Sequence, residues 1–75
     1  MRQIVDKIGT ILSLYSFERP ELGVTELAGE LSWPKSTISE ILASLARQGF
    51  LERTRRGRFR LGWRFFEMNQ VLLES

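Results

Sequence analysis

The sequence predicts a mainly helical domain with one small β-hairpin, and three observations predict it. Apolar residues recur at helical spacing in separate stretches along the chain. Arg58-Phe59-Arg60-Leu61 alternates polar and apolar residues strictly, as a half-buried strand does. Between these stretches stand Pro20, Gly23, Pro34, Gly49 and Gly62, residues that punctuate rather than continue regular structure.

Ile4, Val5, Ile8, Ile11, Leu12 and Tyr15 form the stripe of an amphipathic helix spanning roughly residues 2–17. Pro20 and Gly23 end it, and Arg19 is pushed away from helical angles by the proline that follows. Val24 fits a brief extended piece. Thr25 can then cap a second helix whose apolar face includes Leu27, Ala28 and Leu31. Gly29 inside that helix costs about 1 kcal/mol relative to alanine, which implies close packing against a neighbour, the next helix. Ser32-Trp33-Pro34 separates the second helix from a third within three residues, so the two must cross steeply, with Pro34 placed as a first helical residue. The third helix runs from about 34 to 48, burying Ile38, Ile41, Leu42 and Leu45, and Gly49 stands where a left-handed cap is wanted. Phe50–Arg53 and Arg58–Leu61 then flank Thr54-Arg55-Arg56-Gly57 as a hairpin, with Phe59 and Leu61 toward the core and Arg58 and Arg60 outward. A final helix from about 63 to 74 carries Trp63, Phe65, Phe66, Met68, Val71, Leu72 and Leu73. That is too much apolar surface for a solvated end, so it packs on the core and a second chain, or has lost a cover.

Composition narrows the chemistry. The 75 residues include no cysteine and no histidine, which removes the common nucleophile–base pairs and the thiolate and imidazole metal sites. No enzyme, metal or cofactor is therefore expected. No apolar run reaches a membrane span or a signal-peptide core, so the chain is expected to be soluble and cytoplasmic, with no membrane partner.

The net charge is only +2, but it is unevenly spread. Residues 47–64 hold Arg47, Arg53, Arg55, Arg56, Arg58, Arg60 and Arg64 against Glu52 alone, a local charge of +6, while the other residues carry −4. A basic segment on an acidic body is the footprint of a polyanion-binding surface, and arginine suits phosphates and guanine edges. The plainer reading is that these arginines only solvate a hairpin, although solvated faces usually mix their signs.

Three helices with a tight turn between the second and third, followed by a hairpin, are the order of a winged helix-turn-helix domain. Such a domain offers its third helix to the major groove and its wing to a flanking backbone or minor groove. The same architecture also serves as a protein–protein interaction module, which is the alternative function.

The chain resembles the amino-terminal DNA-binding domain of IclR-type bacterial transcription regulators. The resemblance rests on Val5-Asp6-Lys7, Thr25-Glu26-Leu27-Ala28 with Leu31, Pro34-Lys35-Ser36-Thr37 leading into Ile38, Leu42 and Leu45, Gly49-Phe50-Leu51-Glu52-Arg53, and Gly57-Arg58-Phe59-Arg60-Leu61-Gly62. It implies a homodimer that binds operator DNA, often as a repressor, with a separate carboxy-terminal domain sensing a small-molecule effector. That domain is absent from this sequence, which is expected to be a piece of a longer regulator. Residues 1–62 would then be the DNA-binding domain and residues 63–75 a linker or dimerisation helix presenting Phe65, Phe66, Val71 and Leu72. The sequence departs from the family pattern at Ser39 and Glu40, where His or Arg is common, and at Trp33, where a smaller aliphatic residue is usual.

Candidate contacts follow from position. Lys35, Ser36 and Thr37 begin the third helix, where the positive helix end favours phosphate, although their residue types also suit ordinary helix starts. Ser39, Ser44 and Arg47 are candidates for base edges or the groove wall. Glu40 could accept from cytosine, or could instead pair with Arg47 or Arg19 within the chain or across a dimer. Arg55, Arg56 and Arg58 at the wing tip are candidates for phosphate or the minor groove. Trp33 is expected to pack in the turn as core, and Tyr15 and Phe17 to be core or dimer surface.

Overall fold

The computed structural model describes residues 3–75. Its elements are α1 (Ile4–Leu12), β1 (Glu21–Leu22), α2 (Val24–Leu31), α3 (Lys35–Arg47), β2 (Leu51–Arg53), β3 (Phe59–Leu61) and α4 (Trp63–Glu74). The fold is mainly helical, and the expected hairpin is present as two strands of a three-stranded antiparallel sheet in the order β1-β3-β2. Leu22 pairs with Phe59 on one side of β3 and Arg53 pairs with Phe59 on the other.

The core is built from Ile11, Leu22, Leu27, Ile38, Ile41, Leu42, Leu45, Leu51 and Phe59. Four of these come from α3 at i, i+3, i+4 and i+7, so one face of that helix is consumed by packing and the opposite face is left to solvent. Trp33 is half-buried against this core, as expected.

Several boundaries differ from the sequence expectation, each for a local reason. The expected start of the first helix at residue 2 lies outside the described residues, and its end comes at Leu12 rather than near 17. Leu14 and Tyr15 donate backbone bonds back to Ile11 and Leu12, a tightening turn that leaves the helical path. Tyr15 thereby leaves the stripe and sends its hydroxyl to the Phe59 carbonyl, 2.9 Å away. The extended piece falls at Glu21–Leu22 instead of Val24 and is a true strand. Val24 is the first residue of α2, and Gly23, not Thr25, stands at the cap, its N–H donating to the Glu26 carboxylate at 3.1 Å. Pro34 occupies the cap of α3 rather than its first turn. Ser32 completes the tight turn in the left-handed region, with φ of 58°.

Gly29 does not mark a close helix contact: a Cβ placed there meets nothing within 4 Å. Leu61 is not core either. It shares the inward side of β3 with Phe59 but lies past the edge of the helices, at 47% exposure, beside Tyr15, Phe17 and Pro20.

Gly49 behaves as expected. It adopts φ of +82°, and the amides of Gly49 and Phe50 close on the carbonyls of Ala46 and Leu45, the paired bonds of a Schellman cap. A Cβ on Gly49 would lie 2.8 Å from the Trp63 ring, and one on Gly62 would strike the Gly49 carbonyl. Glycine is therefore required twice where α3, β2 and α4 converge. Beyond this first turn α4 leaves the body, and none of its residues is buried.

The glycine within α2 and the glycine that caps α3 should respond to alanine in opposite directions. Gly49→Ala forces a side chain into left-handed geometry and into Trp63, and should destabilise by at least about 1 kcal/mol, lowering Tm by roughly 4–8 °C. Gly29→Ala has open space and an ordinary helical backbone, and should stabilise by up to about 1 kcal/mol. Thermal unfolding of the two variants checks both signs.

Candidate nucleic-acid interface

The solvent face of α3 carries Lys35, Ser36, Ser39, Glu40 and Arg47 exposed, with Thr37 and Ser44 half-buried at its border. Among the described residues none of these side chains is engaged in a hydrogen bond or ion pair. The start of the helix is partly open: no side chain caps it and its first turn holds no acid, while the Thr37 amide already donates to the Pro34 carbonyl at 3.1 Å. Unshared amides at a positive helix end suit an anion. Glu40, Ser44 and Arg47 border a shallow groove whose other wall is Ile4 and Ile8 of α1. Glu40 takes neither of its expected partners within the chain: Arg19 is held by Glu30 at 2.8 Å and Glu26 at 3.2 Å, and Glu40 and Arg47 form no ion pair.

The arginines of residues 47–64 divide into two groups. Arg60 bonds to Glu52 directly across the ladder at 2.6 Å. The Arg53 guanidinium lies 4.7 Å from the centre of the Phe59 ring. Arg64 covers Trp63 at 4.6 Å and donates to the Gln48 carbonyl at the end of α3, where a positive charge is favoured. Arg58, expected outward at the wing tip, turns back instead. It donates to the Glu21 carbonyl at 2.9 Å and to the Glu26 carboxylate at 2.8 Å. Only Arg47, Arg55 and Arg56 keep side chains free of ion pairs and ring contacts among the described residues.

The loop that presents Arg55 and Arg56 is ordered by the chain itself. Thr54 and Arg58 close it through a backbone bond of 2.7 Å, the amides of Arg56 and Arg58 both donate to the Thr54 hydroxyl, and Gly57 takes φ of +74°. This is a three-residue hairpin loop with a left-handed last residue.

Sequence reasoning gives Glu26 no part in the interface, yet it receives Arg19, Arg58 and the Gly23 amide. Its burial disfavours the carboxylate, but the Gly23 amide and the Arg58 and Arg19 guanidinia outweigh that and hold it below its ordinary value. Arg19 likewise holds Glu30 low. The one sequence signal was the acidity of the body that faces the basic segment. In α4, Phe65 packs edge-on against Phe50 with ring centres 5.5 Å apart, an intramolecular contact, whereas Phe66, Val71 and Leu72 stay exposed.

Comparison with known proteins agrees with this arrangement. A family model described as the IclR helix-turn-helix domain matches residues 4–55. The HTH-type transcriptional regulator KipR of Bacillus subtilis is 31% identical over 70 residues, covering 93% of this chain and 28% of that protein. Among solved structures, one assigned to the IclR transcriptional regulators, from Silicibacter sp. TM1040, superposes with a TM-score of 0.86 at 26% identity, covering 93% of this chain and 27% of the other. An IclR family transcriptional regulator from Brucella abortus gives 0.85 at 21% identity, covering 100% and 29%. The chain thus spans less than a third of the length of each.

The acidic anchors predict an acid response. A carboxylate whose value is lowered by folding contributes stability above its unfolded value, and that contribution is lost as pH falls through the folded one. Unfolding midpoints of the unaltered chain and of Glu26→Gln should therefore differ most at neutral pH and converge as pH falls below the ordinary value of 4.5. A gap that stays constant down to strongly acidic pH would remove Glu26 from this role.

Proposed function

The chain belongs to the IclR helix-turn-helix family, and from that membership we propose that it is the DNA-reading head of a bacterial transcription regulator, acting on operator DNA in the cytoplasm. The carrying observation is the division among its charged groups. Among the described residues the polar side chains on the solvent face of α3, with Arg55 and Arg56, form no hydrogen bond or ion pair, while neighbouring arginines are consumed within the fold. Partnerless arginines at an ordered hairpin tip suit phosphate or the minor groove, and short hydroxyl side chains on an exposed helix suit close approach to base edges. In this reading Lys35, Ser36 and Thr37 position the helix start on the backbone, and Ser39, Glu40 and Ser44 face the groove. Residues 1–62 act as the head. Residues 63–75 lead away from it and offer Phe66, Val71 and Leu72 to a second copy, giving a dimer that reads a two-fold symmetric site. Repression by occupying the operator, and control by an effector bound to a further domain, belong to the same proposal. No catalytic role is proposed.

Salt dependence separates the two kinds of contact. Replacing Arg55 and Arg56 by alanine should weaken binding to all duplexes and flatten the slope of log affinity against log salt by about one for each phosphate no longer neutralised. An unchanged slope would sink the wing assignment. Thr37→Ala and Ser39→Ala should instead alter the ranking of sequences chosen from a random pool, and the winning site should be two-fold symmetric. A uniform loss of affinity would reassign those residues to positioning, and an asymmetric winner would count against the dimer.

A further inference from the structure

Among Arg55, Arg56 and Arg58, Arg58 is the one whose side chain forms ion pairs among the described residues. One terminal nitrogen of its guanidinium, Nη2, donates to two acceptors on different elements, the Glu21 carbonyl of β1 at 2.9 Å and the Glu26 carboxylate of α2 at 2.8 Å, and its Nε lies 3.7 Å from the Glu21 carboxylate. Glu26 is itself fixed from two other directions, by the Gly23 amide at 3.1 Å and by Arg19 at 3.2 Å. At its own backbone Arg58 closes the loop on Thr54 and donates to the Thr54 hydroxyl at 3.2 Å. One residue therefore ends the loop carrying Arg55 and Arg56 and, through its side chain, ties that loop to the start of α2. From α2 the tight turn leads directly to α3.

We propose that Arg58 and Glu26 form a clamp that aims the hairpin tip relative to the helix-turn-helix, so that Arg58 acts in DNA binding as a positioning residue and makes no phosphate contact itself. This rests on the DNA-reading function proposed above. The chemistry favours the clamp over a second phosphate contact. A guanidinium held back against β1 and α2 must leave both acceptors to extend to a phosphate beside the hairpin tip, whereas the Arg55 and Arg56 side chains make no hydrogen bond or ion pair among the described residues. Simple charge counting predicts the reverse for Glu26: deleting an anion from a DNA-binding head should tighten binding.

The test is duplex affinity measured across salt concentrations for the unaltered chain, Arg55→Ala, Arg58→Ala, Arg58→Lys, Glu26→Gln and the Arg58→Ala/Glu26→Gln double variant, at a temperature where circular dichroism shows each one folded. Arg58→Ala and Glu26→Gln should each weaken binding about tenfold with the salt slope unchanged, and the double variant should bind no more weakly than either alone. Arg58→Lys keeps the charge but loses the Nε beside the Glu21 carboxylate, and its ammonium reaches less far than Nη2, so it cannot hold both acceptors in the same geometry; it should weaken binding as well, and it serves if the alanine variant fails to fold. The clamp is overturned if Arg58→Ala flattens the slope by about one, if Arg58→Lys binds as tightly as the unaltered chain, or if Glu26→Gln binds more tightly. If the unaltered chain shows no salt-dependent binding and Arg55→Ala changes nothing, the DNA-reading function fails, a result distinct from failure of the clamp.

Discussion

The position of Phe59 in the central strand is the constraint on which the rest of the structure depends. A two-stranded hairpin alone is marginal in water, and nothing in β2 and β3 by themselves would hold this one. Here β3 is flanked on both sides, by β2 and by the two-residue β1, and Phe59 is 1% exposed among the core residues of the helices. Its carbonyl also receives the Tyr15 hydroxyl from the turn after α1. Burial pushes that phenol up to about 12, so the neutral, donating form is the one the fold keeps. Burying a side chain of this size contributes on the order of 2–3 kcal/mol, which makes the hairpin part of the body rather than an appendage.

A second joint lies where α3 ends. The left-handed Gly49 turns the chain into β2, Gly62 admits β3 beside it, and Trp63 covers Gly49 from the start of α4. Because Arg64 donates its backbone amide to the Gly49 carbonyl and its side chain to Gln48, the last helix is anchored only by its first turn. The departure of α4 from the body is thus a consequence of close backbone contact at two glycines. Its apolar residues face solvent because the core is already closed before they begin.

The elements with strong internal periodicity were legible in the sequence. The buried face of α3, the Gly49 cap, the residues of α4 and the β3 alternation all follow from one-dimensional spacing. What was not legible depends on contacts distant in sequence. The strand at Glu21–Leu22 is two residues long and exists only because β3, far along the chain, supplies its partner. The α1 stripe runs on through Tyr15 in the sequence, yet Tyr15 is drawn out of the helix by a carbonyl in β3. Leu61 follows the alternation rule but outruns the helices that would cover it, since alternation fixes which side a residue faces and not whether anything is there. For the candidate interface, residue types showed where the cations were concentrated. They could not show which of them would be taken up internally, because that depends on where Glu21 and Glu26 come to rest.

This last point changes what the basic segment means. Counted from residue types, a segment of +6 offers seven cations to a polyanion. In the fold, four of the seven guanidinia are already engaged: one across the ladder, one over a buried ring, one at the end of α3, and one on the start of α2. Exposed pairs of this kind are each worth about 0–1 kcal/mol, so the engaged arginines add little to stability individually. Their effect is geometric. They fix the strand, the joint at the end of α3, where Arg47 lies, and the loop that carries Arg55 and Arg56, and Arg58 makes use of the acidity of the body to do so. The negative charge on α2 and β1, which as a total opposes binding to DNA, thus supplies the fixed points for the hairpin. Net charge overstates the number of contacts available to a phosphate backbone here and understates how well the remaining three are held.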